Sequence, residues 1–380
     1  MGPRGPHSVG VKVLSIELHR LAIPLVRPFE TSFGRQTGRQ VLLVRVRTEV
    51  GDGWGECVAG TDPVYSSEYV DGCEDVIRHY LGPALLAAGE VTAEGLGALF
   101  GFVIGHRMAK AVVETAVLDA QLRATETSFA DYFGAERSEV DCGVSVGISP
   151  TIPALLEEVS LYLAQGYRRI KLKIKPGWDL EPVAAVRELL GPDVLLQVDA
   201  NTAYTLFDLD HLRQLDDYDL VLIEQPFVED DIRSHVFLAG AISTPVCLDE
   251  SIVNTALALD AIDRGATSII NVKAGRMGGY REALALHDAC VQLGVPVWCG
   301  GMLETGVGRA ANVALAALPG FTLPGDISAS DRYFAEDITE PFVLRDGRLA
   351  VPTGPGSGVT VREELLAAWA GRPVEVLRAN

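Results

Sequence analysis

Three carboxylates recur at equal intervals in the second half of the chain, each directly after a short apolar run. Asp199 follows LLQV, Glu224 follows LVLI and Asp249 follows PVCL, so successive carboxylates are 25 residues apart. If each run is a strand of one parallel sheet or barrel, the three side chains meet at its carboxyl end. Clustered carboxylates repel one another unless a cation lies between them. An all-oxygen set predicts a hard divalent ion, with Mg²⁺ the best candidate.

Lysines flank this set on both sides. Lys171 and Lys173 lie on the predicted strand before Asp199, and Lys273 follows Asp249 by 24 residues. Side chains two residues apart share one face of a strand, so both lysines of KLKIK point toward the carboxylates. A neighbouring ammonium and a nearby dication both lower a lysine's pKa toward the range that a general base needs. The pattern predicts that Lys173 removes a C–H proton beside a substrate carboxylate, giving an enediolate that the metal stabilises.

The elements that must position these residues follow a regular alternation from about residue 140 onward. Seven short apolar runs (CGVSVGI, RRIKLKI, VLLQVDAN, LVLIEQP, TPVCLDES, TSIINVKA and VPVWCGGM) and a weaker eighth, FTLPGDI, are separated by amphipathic helical segments. This alternation predicts an α/β class with right-handed crossovers, a parallel sheet and a closed barrel. Before about residue 135 the pattern is α+β, with an antiparallel meander and then helices. The tail is predicted to pack back on this first region.

Composition excludes several classes of function. The chain has 380 residues, of which 48% are hydrophobic and 22% are charged, and its net charge is −19. That charge argues against nucleic acid or an anionic membrane as a partner. The six cysteines form no CxxC pair and lie in apolar runs, which predicts buried thiols in a reducing compartment. With neither a signal-peptide pattern nor a membrane-spanning run, we expect a cytoplasmic protein whose first ten residues are a loose extension.

The motifs KLKIKPGWD, LLQVDANTAYT, LIEQP, CLDES, GRMGGY, VWCGGMLETGVGRAAN and TLPGDISASDRY are long and specific. On them the chain resembles the enolase superfamily, muconate-lactonising-enzyme subgroup, and within it the o-succinylbenzoate synthase/N-acylamino acid (N-succinylamino acid) racemase family. The resemblance covers nearly the whole chain. It implies a modified (β/α)₇β TIM-like barrel over residues 136–335, an α+β capping domain over 1–135, and a C-terminal segment, 336–380, that returns to the capping domain.

The resemblance also implies residue roles. Asp199, Glu224 and Asp249 would bind Mg²⁺, for which Mn²⁺ or another divalent cation can substitute, and Lys173 and Lys273 would be the acid/base pair. The supporting residues would be Lys171, Asn201, Glu250 and Arg276. Substrate contacts are expected from two loops of the capping domain, PFETSFGRQ and GECVAGTDPVYSSEY, and from the barrel. The residues expected to make them are Phe29, Ser32, Ser145, Gly301, Met302 and Glu304.

Two reactions on a small carboxylate substrate are implied, and we expect both. One is syn dehydration to o-succinylbenzoate in menaquinone synthesis, in which Lys173 removes the proton and then assists loss of hydroxide. The other is racemisation of N-acylamino acids, in which Lys173 and Lys273 serve opposite faces. Arg276, three residues beyond Lys273, is expected to disfavour the Lys273 ammonium and so to support racemisation. The resemblance further implies a homo-oligomer.

Several alternative functions fit the sequence less well. A dipeptide epimerase typically has Asp-x-Asp near the eighth strand, whereas this chain has Asp326 and Ser328. A mandelate-racemase-like enzyme needs a histidine at a strand end, where this chain has none. A Schiff-base aldolase needs a lysine in an apolar setting without the carboxylates. A non-catalytic barrel protein should have lost some of the five residues at the barrel mouth. A cycloisomerase of the same superfamily stays open.

Overall fold

The computed structural model describes residues 9–379, so the predicted N-terminal extension lies almost entirely outside the described part. The N-terminal region is built on an antiparallel sheet whose first strand contributes to two cores. Ile16 and Leu18 pack against helices of the same region, whereas Leu21 and Ile23 pack with Leu366 near the C-terminus. The strands of this sheet are Val11–Thr31, Gly34–Thr48, Gly51–Cys57, Glu90–Val91 and Glu375–Arg378.

The helices of this region form the second layer. The longest, Arg107–Ala124, is buried along most of its length and packs on the strand Gly51–Cys57. Among residues 9–379, no helix combines the length and the apolar composition that crossing a bilayer requires. The other helical segments here are Val70–Val76, the π-helical turn Ile77–Leu81, Gly82–Ala87, the 3₁₀ turn Ala93–Gly95, Leu96–Leu99 and Phe129–Phe133.

The second region is a parallel barrel. Its seven strands are hydrogen-bonded in chain order, as the alternating pattern predicted. We number them as barrel strands one to seven: Gly143–Val146, Arg169–Lys173, Leu195–Asp199, Ile223–Glu224, Val246–Leu248, Ile269–Val272 and Val297–Cys299. The helices between and after them are Ile152–Ala164, Leu180–Leu190, Leu209–Leu212, Ile232–Ala239, Thr255–Asp263, Ala274–Met277, Tyr280–Leu293 and Gly306–Ala316, with 3₁₀ turns at Leu206–Asp208, Arg213–Tyr218 and Ser330–Arg332.

The eighth apolar run closes the barrel without forming a regular strand. Phe321 bridges to Val297 of barrel strand seven, and Gly325 bridges to Cys142 just before barrel strand one, both in parallel. The amide of Asp326 also donates to the carbonyl of Cys299 at 2.9 Å. The predicted fold class, a modified (β/α)₇β barrel with an α+β capping domain, is confirmed. All six cysteines are buried free thiols, as predicted.

The C-terminal segment contacts both regions. Its strand Arg348–Ala350 pairs antiparallel with Glu139–Asp141 beside the barrel. After the helix Glu363–Ala368, its last strand, Glu375–Arg378, pairs with the first strand of the N-terminal sheet. The segment therefore joins the capping sheet through its last strand, while its earlier part stays with the barrel.

One predicted loop is instead the tip of a β-hairpin. Within residues 28–36, Glu30 pairs with Arg35 and Thr31 pairs with Gly34 across a two-residue turn. The tip reaches the barrel mouth, where the Ser32 hydroxyl donates to the Asn201 carbonyl at 2.8 Å. The loop prediction for this stretch was wrong because its polar composition masked the continuation of two long strands.

Glycines let the strand Gly51–Cys57 lie directly on the helix Arg107–Ala124. A Cβ on Gly55 would overlap the carbonyl oxygen of Val112. The amide of Trp54, on the same strand, donates to the fully buried Asp119 of the helix at 2.9 Å. This contact fixes the strand that leads into the seam between the capping region and the barrel.

We expect Gly55→Ala to lower the free energy of unfolding by about 1–3 kcal/mol, because the added methyl group has no space. Chemical denaturation of the purified variant measures this loss. Gly97→Ala is the control, since nothing lies within 4 Å of a Cβ placed there; it should not destabilise the fold, and it should stabilise it by at most about 1 kcal/mol because Ala is the better helix former. Equal stability of the Gly55→Ala variant and the parent would contradict the close approach.

Candidate active site

The predicted site residues meet at the carboxyl end of the barrel strands. Lys173 ends barrel strand two, Asp199 ends strand three and Glu224 ends strand four, and the three are direct cross-strand neighbours. Asp249 and Lys273 each follow their strand by one residue. All five side chains are at least nine-tenths buried. Equal spacing in the sequence thus corresponds to equal height in the barrel.

Lys171 lies one layer below this ring and binds three carboxylates. Its Nζ lies 3.1 Å from Asp199 Oδ2 and 3.0 Å from Glu224 Oε2, and it also contacts Asp326. Burial disfavours the ammonium, but Asp326, Glu224 and Asp199 outweigh that cost and raise the pKa of Lys171. The ring of Trp298, 4.9 Å from Nζ, forms the floor beneath it. These surroundings therefore favour the charged form of Lys171.

Lys173 has the opposite electrostatic setting. Its Nζ donates to Asp199 Oδ2 at 2.5 Å and to Asn201 Oδ1 at 2.7 Å. Burial lowers the pKa of Lys173, and the neighbouring Lys171 lowers it further, against the attraction of Asp199. This is the direction that a general base requires, and the sequence predicted it.

Lys273 lies on the other side of the carboxylates. Its Nζ is 2.7 Å from Asp249 Oδ2 and 3.3 Å from the Tyr65 hydroxyl, whose ring centroid is 4.7 Å away. Burial disfavours the charged form, but Tyr65 and Glu224 outweigh it and raise the pKa of Lys273. Arg276 is buried and binds Asp249 Oδ1. The pKa of Lys273 is thus raised rather than lowered as expected, and Arg276 contacts Asp249.

Two asparagines hold the remaining carboxylates. Asn201 Nδ2 donates to Glu250 Oε1 at 3.0 Å, and burial raises the pKa of Glu250 to about 7. Asn271 Nδ2 donates to Glu224 Oε1 at 2.7 Å. Sequence analysis missed Asn271, although it precedes Lys273 by two residues and therefore shares its strand face.

The backbone at the barrel mouth is strained. Asn201 and Thr202 have φ values of 41° and 63°, Gln225 has 38°, and Leu303 has 59°. Left-handed conformations are costly for such residues and persist only where the surroundings impose them. Gln225 shows how: its Oε1 accepts from the amide of Asp249 at 2.9 Å, which ties barrel strands four and five together. The turns directly after the carboxylates are thus held in place.

The three carboxylates predicted to bind a metal are neutralised by side chains of the chain itself. Among residues 9–379, no three His, Cys, Asp or Glu side chains are arranged as a metal site. Asp199 and Glu224 converge on one ammonium, that of Lys171, while Asp249 contacts Lys273 and Arg276. The donor set is nevertheless all-oxygen and anionic on three adjacent strands, which is the chemistry that suits Mg²⁺.

A cavity of about 420 Å³ opens above these residues, between the hairpin tip, residues 60–65 and the barrel mouth. Of the predicted substrate contacts, Phe29, Ser145, Gly301 and Met302 line it. Glu304 lies outside this lining and accepts from the Met302 amide at 2.9 Å. The second predicted loop also contributes to the lining, through Asp62, Val64 and Tyr65 among others, whereas the lining residues Arg39, Leu303 and Tyr333 were not expected from the sequence.

A second carboxyl group, Glu56, is buried in the seam behind Lys273. It accepts from the Thr305 amide at 3.0 Å, the Thr305 hydroxyl at 2.6 Å and the Gly308 amide at 3.0 Å, at the start of the helix Gly306–Ala316. Burial raises its pKa to about 7, and the nearby Glu304 adds to the shift. Glu56, Glu304 and Lys273 line a cavity of about 20 Å³.

Comparison with known proteins agrees with this geometry. Residues 15–134 match the mandelate racemase/muconate lactonizing enzyme N-terminal domain, and residues 154–365 match the enolase C-terminal domain-like family. An N-succinylamino acid racemase of Amycolatopsis sp is 61% identical, over 94% of this chain and 97% of its own. An o-succinylbenzoate synthase of Geobacillus stearothermophilus is 43% identical, over 93% and 94% respectively. A solved enolase-superfamily structure from Listeria innocua has a TM-score of 0.93 at 40% identity, covering 97% of this chain and 100% of its own.

The raised pKa of Glu56 predicts a pH dependence of stability. The folded chain holds this proton up to about pH 7, whereas the ordinary value is 4.5. The resulting stabilisation is complete below about pH 4.5 and is lost as the pH rises through 7, by on the order of 2–3 kcal/mol. In denaturation between pH 5 and 8, Glu56→Gln should therefore lose less stability than the parent. The exposed Glu157→Gln should follow the parent; parallel profiles for the parent and Glu56→Gln would refute the assignment.

Proposed function

This chain belongs to the mandelate racemase/muconate lactonizing enzyme family of the enolase superfamily, and we propose that it removes the proton α to a substrate carboxylate, acting both as o-succinylbenzoate synthase and as N-succinylamino acid racemase. The observation that carries the proposal is the pair Lys173 and Lys273, which line one cavity and contact different carboxylates of the predicted metal set. Relatives bearing both names, at 61% and 43% identity, support it. The synthase reaction would place the chain in menaquinone synthesis.

The pKa shifts support different starting protonation states for the two lysines. Lys173, whose pKa is lowered, is the proton acceptor, and Lys273, whose pKa is raised, holds a proton. In racemisation Lys173 takes the α-proton from one face and Lys273 returns one to the other. In dehydration Lys173 takes the proton and then, as an ammonium, gives it to the departing hydroxide, so that water leaves. There Lys273 acts only as a cation beside the developing negative charge.

Asp199, Glu224 and Asp249 are the residues that would hold Mg²⁺ or Mn²⁺, which when bound would stabilise negative charge on the substrate carboxylate. Without the metal ion, the charges of the chain's own buried groups at the site are nearly balanced. In and beneath this end of the barrel, the buried carboxylates of Asp199, Glu224, Asp249 and Asp326 face four buried cations, Lys171, Lys273, Arg169 and Arg276, besides Lys173, whose pKa is lowered. Additional positive charge therefore favours an anionic substrate and a neutral Lys173.

The alternatives are less well supported. Asp326 Oδ1 accepts from Arg169 at 2.6 Å and Asp326 also contacts Lys171, so this carboxylate is engaged and poorly placed to bind the ammonium of a dipeptide. Ser328, which stands where an epimerase would have the second aspartate, is fully buried. Cycloisomerase activity is a second candidate only by superfamily membership. The homo-oligomer and the cytoplasmic location stay predictions from the sequence.

Metal removal tests the first part of the proposal. Chelation should abolish both reactions, and Mg²⁺ or Mn²⁺ should restore them. Glu224→Gln should weaken metal binding by at least about tenfold in calorimetry, because one anionic ligand is lost. Glu229→Gln, the same change at an exposed position five residues away, should bind metal like the parent. Full activity of the metal-free parent would disprove the metal role.

Variants of the two lysines test the second part. Lys173→Ala should lower both activities by at least about a thousandfold, because it is the base in each. Lys273→Ala should abolish racemisation yet still exchange the α-proton of one enantiomer with solvent deuterium, as followed by NMR. Lys175→Ala, at the partly exposed lysine that follows, should keep both activities. Equal exchange from both enantiomers in Lys273→Ala would mean that one lysine serves both faces.

A further inference from the structure

Arg39 is a buried cation without a carboxylate partner. Its side chain is 4% exposed, and among residues 9–379 no carboxylate oxygen forms an ion pair with it. Its Nη2 donates to the Val58 carbonyl at 2.8 Å, while its Nε is buried and has no hydrogen-bond partner. Burying a charge in this way is costly unless something pairs with it. Arg169 and Arg276 are as deeply buried, and each contacts a carboxylate.

Arg39 lines the same cavity as the catalytic lysines. It lies on the strand Gly34–Thr48, opposite Ile23 in the hairpin that reaches over the barrel mouth. Its acceptor residue, Val58, packs against the barrel so closely that a Cβ on Gly275 would overlap the Val58 side chain. Gly275 follows Lys273 by two residues. The guanidinium is thus fixed to the barrel through the backbone beside the site.

Glu56, the carboxyl group that interacts electrostatically with Arg39, does not form an ion pair with it. Arg39 stabilises the charged form of Glu56, but burial and Glu304 dominate there and leave the pKa of Glu56 at about 7. The oxygens of Glu56 are already occupied by donors of Thr305 and Gly308. Arg39 therefore retains unpaired charge and free N–H groups next to a cavity large enough for a small ligand.

We propose that Arg39 binds the second carboxylate of a dicarboxylate substrate, while the carboxylate beside the reacting carbon lies among the lysines. A guanidinium with free donors matches a planar carboxylate, which it can bind through two parallel hydrogen bonds. The inference rests on the proposed function, whose substrates carry a succinyl group with this second carboxylate. A ligand without it leaves Arg39 unpaired, so the cavity selects succinyl over shorter, uncharged acyl groups.

Two substrates, one with that carboxylate and one with a shorter, uncharged acyl group, test the proposal. Racemisation of N-succinylphenylglycine and N-acetylphenylglycine is measured for the parent, Arg39→Gln and Arg39→Lys. The succinyl-to-acetyl ratio of kcat/KM should fall at least about tenfold in Arg39→Gln, with the acetyl substrate little affected, and less in Arg39→Lys, which keeps the charge. Arg47→Gln removes the same charge from the same strand at a position ion-paired with Glu17, and should keep the parent's ratio. Equal losses on both substrates in Arg39→Gln would overturn the proposal.

Equilibrium binding separates this test from that of the proposed function. o-Succinylbenzoate and benzoate are titrated into the Mg²⁺-loaded parent and the Arg39 variants, with folding checked by thermal unfolding. The parent should prefer the dicarboxylate, and Arg39→Gln should lose at least about tenfold of that preference. If Arg39→Gln does not fold, a reduced preference in Arg39→Lys supports the proposal and an unchanged one refutes it. Absence of both reactions in the parent would overturn the proposed function, while an unchanged preference in a folded Arg39→Gln would overturn only the role of Arg39.

Discussion

The ammonium of Lys171 is the interaction on which the barrel mouth depends. It is buried and binds Asp199, Glu224 and Asp326, which come from barrel strands three and four and from the irregular segment that closes the barrel. Removing one partner from such a cluster leaves uncompensated buried charge, which costs far more than a lost surface ion pair. The cluster therefore fixes the spacing of the carboxylates, and its positive charge adds to the effect of burial in lowering the pKa of Lys173. One side chain serves both the architecture and the chemistry.

The site is complete only where the capping region meets the barrel. Tyr65 donates to Asp249 Oδ1 at 2.9 Å, and the hairpin tip is tied to the barrel through the hydroxyl of Ser32. Glu56 caps the amide groups at the start of a barrel helix from the capping side. Each contact is polar and at least partly buried, so shifting the two regions relative to each other would leave unsatisfied groups at the seam.

Local periodicity of the sequence explains how much of the fold and of the candidate site could be predicted. Asp199, Glu224 and Asp249 were found because equal chain spacing in a parallel barrel becomes equal height, and KLKIK placed Lys171 and Lys173 on one face for the same reason. Residues that act across distant elements carry no such signal. The partner of Asp326 at Arg169 and the contacts of Tyr65 exist only in the folded chain. The hairpin tip was predicted as a loop because polar residues on two-sided exposed strands lack the alternation that marks a strand.

The clearest departure from the sequence prediction concerns Lys273. Arg276 was expected to disfavour the Lys273 ammonium, but Arg276 binds Asp249, and Tyr65 and Glu224 outweigh burial and raise the pKa of Lys273. In the proposed mechanism, a lowered pKa at Lys173 and a raised pKa at Lys273 favour the enantiomer whose α-proton faces Lys173. Enantiomers have equal free energy in water, so kcat/KM must nevertheless be the same in both directions. The asymmetry therefore affects only the separate kcat and KM values of each enantiomer. It also requires a proton exchange with solvent that returns the two lysines to their starting protonation states between turnovers. The dehydration needs no such reset, since Lys173 returns its proton to the departing hydroxide and Lys273 stays charged throughout. The same protonation state thus suits the synthase reaction directly, and the racemase reaction only through an additional proton transfer.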